Sequence, residues 1–191
     1  MTVLKIATVG DPVLRQRAAE VTAEELESPE LQRLIDDMIE TKRAAGGAGL
    51  AAVQVSVPKR IAVVEVDENT RYPYKPPIPL TVIVNPVVRP ISSDKLLINE
   101  GCLSVPDLRG DVERFLEVRV RFLDRFGEPR ETVARGLTAG TFQHEVDHLD
   151  GVLFLDRVTD PKSFTTWEQF ERHHLDAFLR RVAPYVREAT A

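Results

Sequence analysis

The run His-Glu-Val-Asp-His at positions 144–148 is the feature that most constrains how this chain folds. In an α-helix, positions i and i+4 lie on one face, so both imidazoles would lie close enough to bind one metal ion. Glu145 would then stand beside that ion, where it can act as a base for a bound water. Val146 and Leu149 indicate that the helix is half buried, and Gly151 suits its C-terminal end. The pattern predicts a site for hydrolysis.

A single cysteine offers the third ligand that a catalytic metal site of this kind needs. Cys102 lies in Glu-Gly-Cys-Leu-Ser at 100–104, which Pro106 keeps from being helical. A Cys-His-His set suits zinc or ferrous iron, whereas magnesium and calcium prefer oxygen ligands. A buried structural thiol or a catalytic thiol paired with a histidine are the alternatives. The spacing of the two histidines favours the metal site.

A glycine-rich segment lies upstream of these motifs, at 47–54. It lacks the Lys-Ser/Thr pair and the preceding strand of a phosphate loop, so it does not predict a nucleotide site. Gly47 and Gly49 fit two alternatives. They form a tight helix-to-strand turn, or they let a substrate backbone come close, with the amide of Gln54 donating to a developing oxyanion.

Three motifs in this order and at roughly this spacing are typical of one enzyme family. They are Gly-x-Gly-Leu-Ala-Ala-x-Gln at 47–54, Glu-Gly-Cys-Leu-Ser at 100–104 and Gln-His-Glu-x-Asp-His-Leu-x-Gly at 143–151. The chain resembles the peptide deformylases from about Lys5 to about Val158, and Gly10 to Arg15 is similar to the usual start of that family. The resemblance implies removal of the N-formyl group from the initiator methionine of new bacterial or organellar proteins.

The resemblance also implies a role for each motif residue. Glu145 would be the general base and acid, and Gln54 and the backbone N–H of Leu103 would face the formyl oxygen. Members of this family hold one divalent metal ion per chain, natively Fe²⁺, and tolerate Ni²⁺, Co²⁺ and, less well, Zn²⁺. The ligands implied here are Cys102, His144 and His148, with a water completing the site as nucleophile.

The pocket for the methionine side chain is implied to lie between the metal helix and the cysteine segment. It would be lined by Gly101, Arg109, Leu137, Gly140, Thr141 and His144. Gly140 and Thr141 are smaller than the residues often found there, which predicts a wider pocket mouth. Arg109 fits an ordinary solvated or salt-bridged arginine equally well. Glu100 and Asp147 are candidates for orienting the ligands.

Composition and charge set limits on partners. The chain of 191 residues has 43% hydrophobic and 29% charged residues, as in an ordinary globular protein. Its net charge of −5 argues against a general or sequence-specific nucleic-acid binder. One cysteine and no apolar stretch of membrane-spanning length predict a cytoplasmic protein without a membrane partner. N-formylmethionyl nascent peptides are the expected partners. Relatives also dock on the ribosome through a C-terminal helix.

The expected fold class is α+β, with mostly antiparallel strands around a central metal-binding helix in a single catalytic domain spanning 1–191. Apolar periodicity predicts a helix from Pro29 to Gly46, and a C-terminal helix over about 161–185. Runs rich in β-branched residues predict strands at 61–66, 81–88, 116–123 and around 132–134. The metal helix is expected to start at Thr138 or Ala139. The proline-rich loop 67–79 is expected near the substrate cleft.

Two other functions fit parts of the pattern. One is a zinc metallopeptidase of the His-Glu-x-x-His type, although such enzymes usually take a third His or Glu ligand downstream of the helix. The other is a non-catalytic relative that keeps the fold as a binding module. Such a module would be expected to have lost Glu145, Gln54 or a metal ligand, and all of these are present.

Overall fold

Two antiparallel sheets surround one buried helix in the computed structural model, which describes residues 2–67 and 74–186. The helices of this part of the chain are α1 (Ala23–Glu27), α2 (Pro29–Ala44), α3 (Gly136–Leu149), α4 (Trp167–His173) and α5 (Leu175–Val182). The strands are β1 (Gly49–Ala51), β2 (Ile61–Val66), β3 (Ile78–Pro90), β4 (Lys95–Cys102), β5 (Val105–Phe115), β6 (Glu117–Leu123), β7 (Pro129–Arg135) and β8 (Thr165–Thr166). The expected α+β class with antiparallel strands is confirmed.

The larger sheet has the strand order β1-β2-β3-β6-β7, and the smaller has the order β4-β5-β8. Strand β2 is apolar apart from Glu65, because helices cover both faces of the larger sheet. Its Ala62 and Val64 pack in one buried cluster with Phe142 and Val146 of α3. Its alternate residues pack in a second cluster with the buried side of α2. The sheet therefore fixes α3 from one face.

Helix α2 begins and ends where the sequence predicts. Ser28 caps its N-terminus by accepting a hydrogen bond from the backbone N–H of Leu31 at 3.3 Å, and Pro29 takes the first helical position. Gly46 stops it with a φ of 62°, a left-handed conformation that favours glycine. The chain then turns at once into the glycine-rich segment and β1.

Helix α3 starts earlier than the sequence predicts, at Gly136 and not at Thr138 or Ala139. Gly136 has a φ of 59°, so it makes the sharp turn that leads from β7 directly into the helix. The expected start at Thr138 or Ala139 is therefore wrong, because the positive φ of Gly136 is not visible in the apolar periodicity of the segment. At the other end, Gly151 ends the helix as expected, with a φ of 74°.

The C-terminal segment is helical, as expected, but its α-helical part begins at Trp167 and not at about 161, because Thr165–Thr166 pair with β5 as strand β8. It also forms two helices in place of one. The break falls at His174, whose φ of −123° and ψ of −22° lie outside regular helix geometry. The break allows both Phe170 of α4 and Phe178 of α5 to enter a buried cluster with Ile98 and Leu137. None of the helices in 2–67 and 74–186 is both long and apolar enough to cross a membrane.

A partly buried ion-pair cluster joins the end of α2 to β2, with Lys42 and Glu65 inside and Arg43 half exposed. Arg43 binds the carboxylate of Glu65 through two hydrogen bonds of 2.9 and 2.7 Å, and Lys42 Nζ donates to it at 2.8 Å. The hydrogen bonds from Arg43, and then those from Lys42, outweigh the effect of burial and lower the pKa of Glu65 to about 2. The cluster lies directly behind the segment at 47–49, where Gly47 N donates to Lys42 O at 2.9 Å.

We expect Glu65→Gln to lower the free energy of unfolding at pH 7 by about 2 kcal/mol, because it leaves Lys42 buried without its charged acceptor. A carboxylate with a lowered pKa stabilises the fold above its unfolded pKa of 4.5, and this contribution is lost as the pH falls towards about 2. The difference between wild type and variant in urea unfolding should therefore be constant above about pH 5.5 and shrink below pH 4.5. Glu113→Gln, at an exposed pair with Lys95, is the control and should cost less than ~1 kcal/mol. A pH-independent difference would contradict this account.

Candidate metal centre

The three predicted metal ligands meet inside the protein. Cys102 ends β4 at a two-residue turn into β5, and His144 and His148 lie one turn apart on α3. One ligand atom from each lies within 4.8 Å of the other two, and Cys102 Sγ lies 3.3 Å from His148 Nε2. Cys102 and His148 are buried, and His144 is nearly so. One thiolate and two imidazoles form a donor set that fits a divalent metal ion such as iron or zinc.

A carboxylate orients one of the two histidines. Glu100 Oε2 lies 2.9 Å from His144 Nδ1, which leaves Nε2 of that ring to face Cys102 and a metal. Burial disfavours a charge on Glu100, but the pairing with Arg114 and the hydrogen bond to His144 outweigh it and hold the pKa of Glu100 well below its usual range. Glu100 is therefore a permanent anion beside the site, in the orienting role that the sequence analysis gave it.

The pKa values of the two histidines are shifted in opposite directions. Burial, and then the neighbouring His144, lower the pKa of His148 well below its ordinary value, so this ring is neutral and ready to bind a metal. Burial also acts to lower the pKa of His144, but hydrogen bonds to Cys102 and Glu100 raise it well above the ordinary value. Metal binding would have to displace the proton from that ring.

The side-chain amide of Gln54 has a fixed orientation beside the thiol. Its Oε1 accepts a hydrogen bond from the backbone N–H of Ala51 at 2.8 Å, and only the oxygen of the amide can do so. Nε2 must then point the other way, where it lies 3.0 Å from Ser104 Oγ and 3.6 Å from Cys102 Sγ. Gln54 is thus a hydrogen-bond donor fixed beside the predicted ligand Cys102. The glycine-rich segment helps to fix it, since Ala51 of that segment donates to its Oε1.

Glu145 is buried next to the glycine-rich segment. A Cβ atom at Gly49 would lie 2.2 Å from Glu145 Oε1, so only glycine leaves room for this carboxylate. Glu145 Oε2 is buried and has no hydrogen-bond partner among the described residues. Burial raises the pKa of Glu145 to about 7, against the lowering effects of His144 and Lys75. Such a group can both accept and return a proton near neutral pH.

A cavity opens between these groups and the C-terminal helices. It is lined by all the pocket and glycine residues that the sequence analysis predicted: Gly47, Gly49, Gly101, Arg109, Leu137, Gly140 and Thr141. Gln54, Cys102, Leu103, His144 and Glu145 also line it. The side chain of Ile98 occupies the space that a side chain at position 140 would need, since a Cβ on Gly140 would lie 2.6 Å from Ile98 Cδ1. Two of the three predicted metal ligands therefore share one cavity with Gln54 and Glu145.

Six residues that line the cavity were not predicted: Ala48, Tyr74, Lys75, Ile98, Asn99 and Phe178. Tyr74 and Lys75 belong to the proline-rich loop, which was expected near the cleft without any residue being named, and 68–73 of that loop lie outside the described residues. Phe178 belongs to the C-terminal segment, for which no place in the site was predicted. Its ring packs edge-on against Tyr74, with centroids 5.2 Å apart.

Arg109 is a buried residue and not a solvated one. Its Nε and Nη2 donate to the side chain and the backbone of Asn99 at 2.7 and 2.8 Å. Its guanidinium stacks over the rings of Trp167 and Phe170, at 3.9 and 4.6 Å from their centroids. The first helix of the C-terminal segment therefore supports a wall of the cavity.

Comparisons with known proteins agree with one another. The model of the polypeptide deformylase family matches residues 3–164, a range that includes every ligand. A peptide deformylase of Leptospira biflexa is 42% identical over 165 residues, which cover 86% of this chain and 92% of that protein. One from Xylella fastidiosa is 44% identical over 162 residues, covering 85% and 91%. The crystal structure of a class I type b peptide deformylase from Acinetobacter baumannii with Met-Ala-Ser bound has a TM-score of 0.79 and 46% identity, covering 82% of this chain and 99% of that one.

We expect the purified protein to hold about one divalent metal ion per chain. His148→Ala should weaken metal affinity by more than ~100-fold, because even the loss of a group that only orients a ligand costs ~10–100-fold. His173→Ala, at an exposed histidine of α4, is the matched control and should keep the wild-type metal content. Elemental analysis of both variants after dialysis checks this. Equal metal content in the two would rule out His148 as a ligand.

Proposed function

This chain belongs to the polypeptide deformylase family, and we infer that it removes the N-formyl group from the first methionine of newly made polypeptides, releasing formate. The observation that carries this conclusion is that Cys102, His144 and His148 meet in one cluster, and that Cys102 and His144 line the same cavity as the buried carboxylate of Glu145. A formamide needs an activated water, stabilisation of an oxyanion and a proton for the leaving amine. The cavity presents a candidate group for each.

Cys102, His144 and His148 would hold the metal ion, for which we propose ferrous iron. When bound, such an ion lowers the pKa of a water towards neutrality and polarises the formyl oxygen. The protein fixes the ligands from two directions, a strand end and a helix face, so that their relative positions depend on the packing of β4 against α3. The choice of iron over zinc, nickel or cobalt follows from the family resemblance and from no residue of this chain.

Glu145 acts as the general base and then as the general acid. It accepts a proton from the water as the water oxygen attacks the formyl carbon, and it passes a proton to the amine nitrogen as the C–N bond breaks. Formate and a free N-terminal methionine result. Burial supports this double role because it raises the pKa of Glu145 to about 7.

Gln54 and the backbone N–H of Leu103 stabilise the oxyanion. Nε2 of Gln54 is directed beside Cys102 by the hydrogen bond from Ala51 N to Oε1, so the donor needs little rearrangement when negative charge develops. Leu103 lies in the turn directly after Cys102 and also lines the cavity. The loss of one such donor typically costs roughly 10²–10³ in turnover.

The peptide itself binds along the glycine residues of the cavity. Gly47, Gly49 and Gly101 line the cavity, so a peptide backbone in the cavity would run past them. The first side chain enters the part of the cavity lined by Arg109, Leu137, Gly140 and Thr141. We also propose, from the sequence alone, that the protein acts in the cytoplasm and near the ribosome.

Neither rival function gains support from the geometry. A zinc peptidase of the His-Glu-x-x-His type would bring a third ligand from beyond the helix, whereas here Cys102 reaches the histidines from β4, which precedes it. A non-catalytic module would not need a buried carboxylate with a raised pKa beside a triad of ligands, a combination that is costly to the fold.

Formate release from formyl-Met-Ala-Ser by protein purified without air tests this function. The wild type should release formate, and Glu145→Gln should lose at least ~10² in rate while it keeps its metal. Glu171→Gln, at an exposed glutamate of α4, serves as the control and should keep the wild-type rate. No formate from wild-type protein with a full complement of ferrous iron would refute the proposal. Full activity in Glu145→Gln would refute the role of that residue.

A further inference from the structure

The hydroxyl of Ser104 contacts the proposed oxyanion donor from outside the cavity. Gln54 Nε2 donates a hydrogen bond to Ser104 Oγ at 3.0 Å, and Ser104 is fully buried. Among the described residues, Gln54, Cys102 and Leu103 line the cavity and Ser104 does not. The motif at 100–104 includes this serine, but the proposed reaction gives it no role. Any effect of the hydroxyl on the reaction must therefore pass through Gln54.

Two hydrogen bonds together fix the plane of the Gln54 amide. Oε1 accepts from Ala51 N at 2.8 Å on one side, and Nε2 donates to Ser104 Oγ on the other. A bond to Oε1 alone would let the amide tilt about its oxygen, because a hydrogen bond to a carbonyl oxygen tolerates a broad range of directions. The bond to Ser104 removes this freedom.

The amide nitrogen of Gln54 carries two hydrogens, and Ser104 accepts one of them. The other is left for the side of Cys102, whose Sγ lies 3.6 Å from Nε2. This second hydrogen is the one that the proposed reaction needs at the developing oxyanion. An oxyanion hole is effective because its donors are oriented before the charge develops. The hydroxyl of Ser104 sets that orientation in advance.

The N-terminal segment holds the backbones of the serine and the glutamine, which lie 50 residues apart in the sequence. Ala7 N donates to the carbonyl oxygen of Gln54 at 2.8 Å, and Val9 N donates to that of Ser104 at 2.7 Å. One short segment therefore binds both residues that form the Gln54–Ser104 hydrogen bond. The separation of the amide and the hydroxyl is fixed by the fold and does not depend on a bound substrate.

We propose that Ser104 is a positioning residue for deformylation, whose hydroxyl accepts one hydrogen of the Gln54 amide and so directs the other towards the oxyanion. The proposal rests on the proposed function, since the oxyanion forms only in that reaction. Ser104 transfers no proton and contacts no reacting atom. Its contribution therefore lies in kcat, because the charge on the formyl oxygen develops only in the transition state.

The test measures kcat and KM for formyl-Met-Ala-Ser. Ser104→Ala removes the acceptor but keeps the backbone N–H that donates to Cys102 Sγ at 3.4 Å, so metal content should equal that of the wild type. We expect kcat to fall by roughly 3- to 10-fold with little change in KM, since one neutral hydrogen bond to the donor is lost. Ser28→Ala, which removes the hydroxyl that caps α2, is the control and should keep the wild-type kcat.

A double-mutant cycle separates positioning from packing. A purely structural hydroxyl, which only satisfies a buried amide, is the alternative. Gln54→Ala removes the group that Ser104 orients, so adding Ser104→Ala should not lower kcat further. A fall by the same factor with and without Gln54 would show a structural role and overturn the proposal. A higher KM at unchanged kcat would also overturn it.

The outcomes also separate this proposal from the function on which it rests. Equal kcat in wild type and Ser104→Ala, with formate released by both, overturns the positioning role and leaves the deformylase function standing. No formate from wild-type protein with a full complement of ferrous iron overturns both. Melting temperatures show whether each variant is folded. Ser104→Gly removes the same hydroxyl and replaces the alanine variant in the test if that variant does not fold.

Discussion

The structure depends above all on one buried arginine that joins a strand to the central helix. Arg114 of β5 donates to both oxygens of Glu100 on β4 at 2.7 and 2.9 Å and also pairs with Asp147 of α3. Arg157 binds the same Asp147 from the loop after the helix. Burying such charges is costly, and close geometry offsets the cost only while every partner is present. The removal of one partner from a buried pair typically costs about 3–5 kcal/mol, so this network fixes how the hairpin lies on the helix.

The positions of the predicted metal ligands depend on this network. Glu100 accepts hydrogen bonds from Arg114 and faces His144 at the same time, and Cys102 follows it by two residues on the same strand. A shift of β4 along α3 would therefore separate the thiol from both imidazoles. The charge that orients the histidine is the same charge that holds the two elements together. Stability and the geometry of the site have one physical origin here.

The cavity brings together parts of the chain that are far apart in the sequence. Gly49 and Glu145 lie directly beside each other in its wall. Lys75 and Arg109 add positively charged side chains to the lining, and Phe178 of α5 adds an aromatic ring. Trp167 and Phe170 support Arg109 from behind. The C-terminal helices therefore shape this cavity, in addition to covering the core. The three predicted site side chains of α3, His144, Glu145 and His148, take their positions from a helix that is buried along most of its length.

Local sequence patterns were sufficient to predict several elements and the cluster of predicted ligands. The cap at Ser28, the stop at Gly46 and the spacing of His144 and His148 are properties of a few neighbouring residues, and the structure confirms the elements they predicted. Errors arose where the local pattern was ambiguous. Gly136 turns the chain into α3 before the predicted start, and His174 divides a helical pattern that reads as continuous. The start of α3 and the break at His174 both depend on the elements that these segments pack against, and apolar periodicity gives no information about those elements.

The sequence by itself predicted the Cys-His-His cluster, the carboxylate beside it and the family, because these follow from residue types at fixed short spacings and from three motifs in order. Only the tertiary structure decided which charges and rings line the cavity. Arg109 was equally compatible with a solvated position, and its burial against Trp167 is a long-range contact. Lys75 and Phe178 lie more than a hundred residues apart and meet at one cavity. The physical reason is that a pocket is formed by packing between distant segments. The local sequence of one segment does not indicate which other segments will line the pocket with it.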